Sequence, residues 1–166
     1  MGCERVTSSK LAEKLKENKR YLLIKEVKER LNNCTKKGFI YQFTEAELSR
    51  KLLDTVLSNS IVGIVREVGV ISKKEAKQLL KETIITVGSE RINDIVYLFH
   101  PQSDEVGAIK STLKDCIEHL DCLLDFIEFE DQLLSNSFIL MEPSFTFVIC
   151  LFHTEYGCEL FYAKNL

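Results

Sequence analysis

The stretch that decides the fold is Ser137–Lys164, which reads SFILMEPSFTFVICLFHTEYGCELFYAK in the 166-residue chain. It is the most apolar part of the sequence and is rich in β-branched and aromatic residues, which are typical of strands. Pro143-Ser144 and Tyr156-Gly157 interrupt it and predict two chain reversals. Because the connections are too short for a crossover, the stretch predicts an antiparallel meander. Its three strands are expected at Phe138–Glu142, Phe145–Thr154 and Cys158–Lys164.

Two shorter strands and one long helix are predicted upstream of this meander. Residues 95–100 read IVYLFH before Pro101, and residues 39–43 read FIYQF. From Ser103, a candidate N-cap, apolar residues recur every three or four positions as far as residue 127, which predicts one long helix. These apolar positions are Val106, Ile109, Leu113, Cys116, Leu120, Leu123 and Ile127.

This seven-residue repeat has two interpretations. It can be the seam of a coiled-coil homodimer, or the buried side of a helix that lies across the sheet. The second interpretation is preferred, because the charges that flank the repeat beyond Lys114 are all acidic and would repel one another in a homodimer. Residues 124–130 can be helix or strand, since a short apolar run does not distinguish the two.

The N-terminal half of the chain is predicted to be mainly helical. One amphipathic helix is expected over Ser9–Asn32, and a second is expected to be capped by Thr44. A third helix is expected to begin at Ser72, with Glu75 at the capping-box position. Residues 61–68 and 83–87 can each be helix or strand.

Residues 52–83 have the outline of a DNA-binding helix-turn-helix, because a glycine-containing turn lies between two predicted helices. In that arrangement Lys73, Lys74 and Lys77 would contact phosphates. Ordinary packing of two helices is the preferred interpretation, because Gln78 is the one uncharged polar residue on the second helix that could contact bases. Nucleic acid is therefore not an expected partner.

Together these elements predict one α+β domain over residues 1–166. The N-terminal helices and the long helix would pack on a mostly antiparallel sheet that ends in the C-terminal β-meander. A chain of this length can bury a full core. The residues expected to form the sheet are 39–43, 95–100 and 137–164.

The composition predicts a reduced, cytoplasmic protein. Its six Cys are spread along a chain that is longer and poorer in Cys than a secreted disulfide scaffold. The first 20 residues, MGCERVTSSKLAEKLKENKR, lack the apolar segment of a signal peptide. No stretch approaches the roughly 18 uninterrupted apolar residues of a membrane-spanning helix, so a membrane is not an expected partner.

Cys150, His153 and Cys158 are soft metal ligands that lie close together in the sequence. In a hairpin that reverses at Tyr156-Gly157, His153 and Cys158 share a face while Cys150 lies on the other. Too few ligands converge, so neither a metal nor another cofactor is expected. The same geometry leaves a Cys158–His153 nucleophilic pair as a lesser alternative, although no catalytic residue is predicted. Nucleotide-binding and hydrolase signatures such as GxxxxGK[ST] and GxSxG are missing from the sequence.

The net charge of −3 conceals two halves of opposite sign. Residues 1–91 carry 19 Lys and Arg against 12 Asp and Glu, and residues 92–166 carry 3 against 13. Like charges at helical spacing, as in the acidic run of the second half, need a compensating cation. That cation can come from the basic half of the same chain or from a partner. The residues predicted to bind a partner are Asp115, Glu118, Asp121, Asp125, Glu128, Glu130 and Asp131.

These features favour a non-enzymatic, cytoplasmic protein-binding module. We expect an immunity or inhibitor protein whose acidic surface covers a basic toxin or nuclease, because complementary charge accelerates association and needs no catalytic residue. The alternative is a ligand-sensing domain with a pocket between the Phe-rich sheet and the long helix, or a helix-turn-helix regulator. A Cys/His enzyme is a lesser alternative. A homodimer is compatible with each of these functions.

Overall fold

The computed structural model describes residues 3–35, 38–58, 62–127 and 137–164. It confirms the α+β class and the antiparallel sheet, in which seven strands follow the order β1-β4-β3-β5-β6-β7-β2. The strands are β1 Gln42–Phe43, β2 Ile64–Gly69, β3 Ile95–Phe99, β4 Ile109–Thr112, β5 Phe138–Met141, β6 Phe147–Thr154 and β7 Gly157–Lys164.

The helices cover both faces of this sheet. They are α1 Cys3–Thr35, α2 Ala46–Leu57, α3 Lys73–Gly88, α4 Leu113–Glu118 and α5 Leu120–Ile127, with a short 3₁₀ helix at Ser89–Arg91. The C-terminal half of α1 packs with α3, α4 and α5 on one face, and α2 packs on the other. Two apolar cores therefore lie on either side of the sheet. Among the described helices, none combines the length and the apolar character needed to cross a membrane.

The predicted C-terminal meander is confirmed. β5 pairs with β6 and β6 with β7, and Thr154 pairs with Gly157 across a two-residue reversal. Gly157 has a φ of 139°, which favours glycine at this position. The second strand begins at Phe147 rather than Phe145, because Phe145 lies in the preceding turn with a φ of 60° and donates its N–H to the Glu142 carbonyl.

The long helix predicted from Ser103 is wrong over its first ten residues. The Ser103 hydroxyl accepts a 2.8 Å hydrogen bond from the His100 N–H, and residues 101–106 form turns. Gly107 has a φ of 109° and leads the chain into β4. The helix that follows begins after Thr112, whose hydroxyl accepts the Asp115 N–H at 3.1 Å. Turn, strand and helix thus replace a single helix.

The seven-residue repeat marks burial within one chain. All seven of its apolar residues are at most 4% exposed, so they belong to the core and not to a seam between two chains. They are distributed over a turn, β4 and two helices that are separated at His119. Of the residues left open between helix and strand, 124–127 are helical and 128–130 lie outside the described part of the chain.

The sequence predicted the cap of α3 correctly and the cap of α2 incorrectly. The capping box of α3 is confirmed, because Ser72 donates its N–H to the Glu75 carboxylate at 2.7 Å and Glu75 donates its N–H to the Ser72 hydroxyl at 3.3 Å. Thr44 does not cap α2. The cap residue is Glu45, and the Thr44 hydroxyl instead accepts the Ala108 N–H at 2.9 Å. Residues 83–87 are the end of α3.

The helix-turn-helix outline of residues 52–83 is wrong. β2 lies between α2 and α3 and pairs with β7, so the two helices are not joined by a turn. Residues 61–68, which the sequence left open, are strand from Ile64 onwards. The DNA-binding geometry that Lys73, Lys74 and Lys77 would need is therefore absent from this described region.

α1 is longer than the predicted Ser9–Asn32, and the buried side predicted for it exists only in its C-terminal half. Val27 and Leu31 are buried in the core, whereas Leu11 and Leu15 are each 61% exposed. The C-terminal half packs on α5. In the exposed half, the Lys19 ammonium lies 3.5 Å from the Glu105 carboxylate, and both side chains are exposed to solvent.

Candidate functional site

The two acidic residues of α4 are both engaged within the chain. The Thr112 hydroxyl donates to the Asp115 carboxylate at 2.8 Å and accepts the Asp115 N–H, so this carboxylate takes part in the cap of α4. The Glu118 carboxylate lies 3.9 Å from the Lys114 ammonium, one helical turn away. Neither residue therefore needs an outside cation for its local stability.

The acidic residues of α5 lie beside the basic half of the chain. The Asp121 carboxylate is 76% exposed, and the Lys77 ammonium of α3 lies 3.3 Å from it. Asp125 is half-buried. Because the helix is broken at His119, these residues do not continue the α4 row along one helix face. Part of the compensating charge for the acidic run thus comes from inside the protein, which was one of the two possibilities left by the sequence.

Three of the predicted partner-binding residues, Glu128, Glu130 and Asp131, lie outside the described residues. Of the other four, Asp115 and Glu118 lie on α4, and Asp121 and Asp125 lie on α5. The predicted contact of all seven residues with a partner stays a prediction.

A cleft of about 630 Å³ lies between α3 and the α4–α5 pair. Its floor contains Ile117 and the buried Leu120. Lys74, Lys77 and Lys81 form one wall, and Glu118 and Asp121 stand opposite. Charges of both signs therefore line the cleft and pair across it, so the acidic side presents a mixed surface rather than a purely acidic one. Phe138 and Phe147 of the Phe-rich sheet are fully buried, and a ligand pocket between this sheet and a helix stays a prediction.

The cysteines of the sheet do not form a ligand set. His153 pairs with Cys158 in the register of β6 and β7, and Cys150 pairs with Phe161, so Cys150 lies on the opposite face as predicted. No group of three or more metal-binding side chains occurs among the residues described. Burial raises the pKa of Cys150 to about 12 and also raises the pKa of Cys158. The neutral thiol is thereby favoured, whereas a nucleophile needs the thiolate.

Burial also raises the pKa of Cys116 to about 12, which leads to a prediction about alkylation. We expect iodoacetamide at about pH 8 to leave Cys116 and Cys150 unmodified in the folded protein and to modify both in urea, because the protonated thiol is a poor nucleophile. Cys122, half-buried on α5, is the internal reference and should react faster. Peptide mass spectrometry gives the rates. Modification of Cys150 as fast as Cys122 would contradict the assignment of an inert core thiol.

His100 has partners that the sequence did not reveal. Its Nε2–H donates to the Gly107 carbonyl at 2.9 Å, and its Nδ1 accepts the Gln102 N–H at 3.3 Å. This arrangement uses the neutral imidazole, and burial of the ring is the main reason why the pKa of His100 is lowered. His100 thus holds the turn between β3 and β4 and has the surroundings of a structural residue.

β2 forms an edge of the sheet and exposes apolar side chains. It pairs with β7, and no other described strand pairs with its outer edge. Ile64 and Val65 are 57% and 63% exposed, and Val62 before the strand is exposed too. Exposed β-branched residues on a free edge are features by which a sheet binds an extended segment of a partner. We call Val62, Ile64, Val65, Glu67 and Glu159 the β2 edge surface.

Two carboxylates face each other on this surface. Glu67 pairs directly with Glu159 of β7, and Val65 pairs with Phe161 two residues along, so the four side chains lie on the same face of the sheet. Among the described residues, no cation lies within ion-pair distance of either Glu67 or Glu159. Like charges directly opposite one another destabilise a sheet, so a cation from outside would be stabilising here.

Sequence reasoning missed this surface for an identifiable reason. The run from Val62 to Val70 is rich in Val and Ile and is punctuated by Gly63 and Gly69, which together indicate a short strand. Such a pattern could have favoured strand over helix. More than half of the chain separates Glu67 from Glu159 in the sequence, so a local sequence pattern cannot reveal that they are paired.

The part of the chain that contains the sheet matches a known protein family. Residues 23–163 match the family model described as YxiF protein. Over 153 residues the chain is 49% identical to a protein of Bacillus subtilis (strain 168) named "Uncharacterized protein YxiF", and the alignment covers 92% of this chain and 97% of that relative. No solved structure matches the chain. The family match begins after the exposed N-terminal half of α1.

Proposed function

The chain belongs to the YxiF family, and we propose that it is a non-enzymatic, cytoplasmic binding protein of the immunity or inhibitor type. Its partner would be a basic protein, such as a toxin or nuclease domain, which it would cover through the β2 edge surface. This function requires a surface that is apolar enough to bind and charged enough to select its partner.

The observation that carries this proposal is the uncompensated pair of carboxylates beside an exposed apolar edge strand. Glu67 and Glu159 stand opposite one another, and Val65 presents apolar area on the same face of the sheet, while the exposed Ile64 lies on the other face of the same edge strand. A basic side chain of a partner would relieve the repulsion between the two carboxylates and would gain two ion pairs at once. Apolar contact with the edge strand would contribute most of the remaining binding energy.

The chemistry of the thiols supports a role without catalysis. A cysteine nucleophile works through a lowered pKa and an accessible sulfur atom. Cys116, Cys150 and Cys158 have the opposite properties, since all three are buried and their pKa values are raised. A Cys/His mechanism is therefore the weaker proposal.

The predicted acidic contact residues of α4 and α5 form a second, less favoured surface. Lys77 and Lys114 already neutralise part of Asp121 and Glu118, so a basic partner would have to displace or share these lysines. Exposed ion pairs of this kind contribute little energy, and they also leave little net charge to attract a partner. The experiment below separates the two surfaces.

We expect the tagged chain to form a 1:1 complex with a basic protein isolated from its own host, and to inhibit that protein's toxic or nuclease activity in proportion to the amount bound. Association measured by stopped flow should slow as salt is raised, because the attraction is screened. The double variant Glu67→Gln/Glu159→Gln should lower the association rate by about tenfold at low salt.

The matched variant is Glu118→Gln/Asp121→Asn, which removes the same charge from the α4–α5 surface. It should change the association rate much less than the variant at the sheet edge. The reverse order of the two effects would place the contact on α4 and α5 instead. A partner without basic character, or an association rate that salt leaves unchanged, would count against the proposed function as a whole.

A further inference from the structure

The exposed half of α1 carries an apolar stripe. Residues 10–22 are exposed throughout, and within them Leu11, Leu15 and Leu22 are 61% to 63% exposed. Their spacing of four and seven residues places the three leucines on one side of the helix. Asn18 occupies the remaining position in this row. Three exposed leucines in one row leave apolar area in contact with water, which is unfavourable. Such a row therefore indicates a contact surface.

The stripe lies on a different side of α1 from the side that packs on the rest of the chain. Val27 and Leu31, which are buried, follow Leu22 by five and nine residues, which places them about 140° and 180° around the helix from it. Beyond Leu22 the row continues with Lys25 and Glu29, which form an exposed ion pair at 3.9 Å. The apolar row therefore ends where α1 begins to pack on the core.

We propose that this stripe is the contact between two copies of the chain, which associate through an antiparallel pair of α1 helices. The positions Leu11, Leu15, Asn18 and Leu22 follow the alternating spacing of four and three residues that forms the seam of a helix pair. In an antiparallel pair centred between Leu15 and Asn18, Leu11 of each copy packs on Leu22 of the other. Each stripe then covers its own equivalent, as a twofold contact requires.

The charges beside the row select the antiparallel arrangement. In a parallel pair, Lys14 of each copy would lie beside Lys19 of the other, and this repulsion would occur twice. The exposed ion pair of Lys19 with Glu105 would offset only part of it. In the antiparallel pair, Lys14 lies beside Tyr21 of the second copy, where the ammonium can contact the ring. Lys19 then lies beside Ala12 of the second copy, which carries no charge.

The pair of helices should be weak and reversible. The row from Leu11 to Leu22 is about 17 Å long, which buries much less than the roughly 1,600 Å² of a standard interface. Asn18 faces Leu15 of the other copy and lowers the stability further, as a polar residue in such a seam does. We therefore expect a dissociation constant on the order of 100 μM. The inference is independent of the proposed partner, which would bind different residues, those of the β2 edge surface or of α4 and α5.

Sedimentation of the full chain between about 5 μM and about 1 mM tests the inference. The chain should change from monomer to dimer over this range. Leu15→Gln/Leu22→Gln should weaken the dimer by at least about tenfold, and Asn18→Leu should strengthen it by about tenfold because it completes the apolar row. The matched control Lys16→Gln/Arg20→Gln changes two exposed residues on other sides of the same helix and should leave the dissociation constant within about threefold.

Two results would overturn the inference. One is a chain that remains monomeric at about 1 mM, and the other is an Asn18→Leu variant that dimerises no better than the original. The variant Lys14→Glu tests the direction of the helices. It would strengthen a parallel pair by removing the repulsion from Lys19, so a stronger dimer would overturn the antiparallel arrangement, and an unchanged or weaker dimer supports it.

Discussion

Replacement of Gly107 by alanine is expected to lower the free energy of unfolding by about 3 kcal/mol or more. Gly107 has a φ of 109°, and a Cβ atom at this position would overlap the backbone carbonyl of Thr44. Thr44 has little room to move away, because its N–H donates to the Ala108 carbonyl and its hydroxyl accepts the Ala108 N–H, both at 2.9 Å. Urea unfolding followed by circular dichroism measures the loss.

Gly69 provides the matched control for this substitution. It also has a positive φ, of 74°, but a Cβ atom there would meet no atom within 4 Å. Gly69→Ala should therefore cost only the backbone strain, about 1 kcal/mol. If both variants lose the same free energy of unfolding, the positive φ alone explains the loss. The close approach of Thr44 to Gly107 would then make no contribution to it.

The same cluster explains why sequence analysis misplaced the start of the helix after β3. Ser103 has the features of an N-cap, but its hydroxyl accepts the His100 N–H and so closes a turn. The spacing of Val106 and Ile109 is equally compatible with one helix turn and with a turn followed by a strand. Gly107 decides between these possibilities through its contact with Thr44, and that contact joins residues more than 60 positions apart.

Local patterns were sufficient where the decisive contacts are themselves local. The meander from Phe138 to Lys164 was predictable, because alternating side chains and short reversals restrict its pairing to nearby residues. Its last reversal falls at Glu155-Tyr156, one residue before the predicted Tyr156-Gly157. The capping box of Ser72 and Glu75 was predictable for the same reason. Both features need only residues that are neighbours in the sequence.

The candidate site depends on contacts between distant parts of the chain. The acidic run was visible in the sequence, but the lysine that lies beside Asp121 belongs to α3, 44 residues earlier. The uncompensated pair of Glu67 and Glu159 becomes visible only once β2 is known to lie beside β7. Sequence analysis therefore found where the charges are, and the fold decides which of them are already satisfied.

Replacement of Phe126 by alanine is expected to lower the free energy of unfolding by about 3 to 5 kcal/mol. Phe126 is 1% exposed at the end of α5, the Arg30 guanidinium of α1 lies 5.4 Å from its ring centre, and the His100 ring lies at 5.6 Å. The ring thus joins α5 to the packed half of α1 and to the turn after β3. Arg30 also donates a hydrogen bond to the Phe126 carbonyl, but at a long 3.5 Å, so this bond would hold α1 only weakly once the ring is removed. A cavity at Phe126 should therefore loosen α1 more than the other helices.

Phe126→Leu separates the volume of the side chain from the aromatic ring. Leucine keeps most of the packing and loses the contact of the ring with Arg30, so it should cost only about 1 to 2 kcal/mol. Amide hydrogen exchange in α1 between residues 27 and 35 should accelerate strongly in the alanine variant and slightly in the leucine variant, because this half of the helix is held by its contact with α5. A loss below about 2 kcal/mol for alanine would mean that the surrounding side chains collapse into the space, and that α1 does not depend on Phe126 for its position.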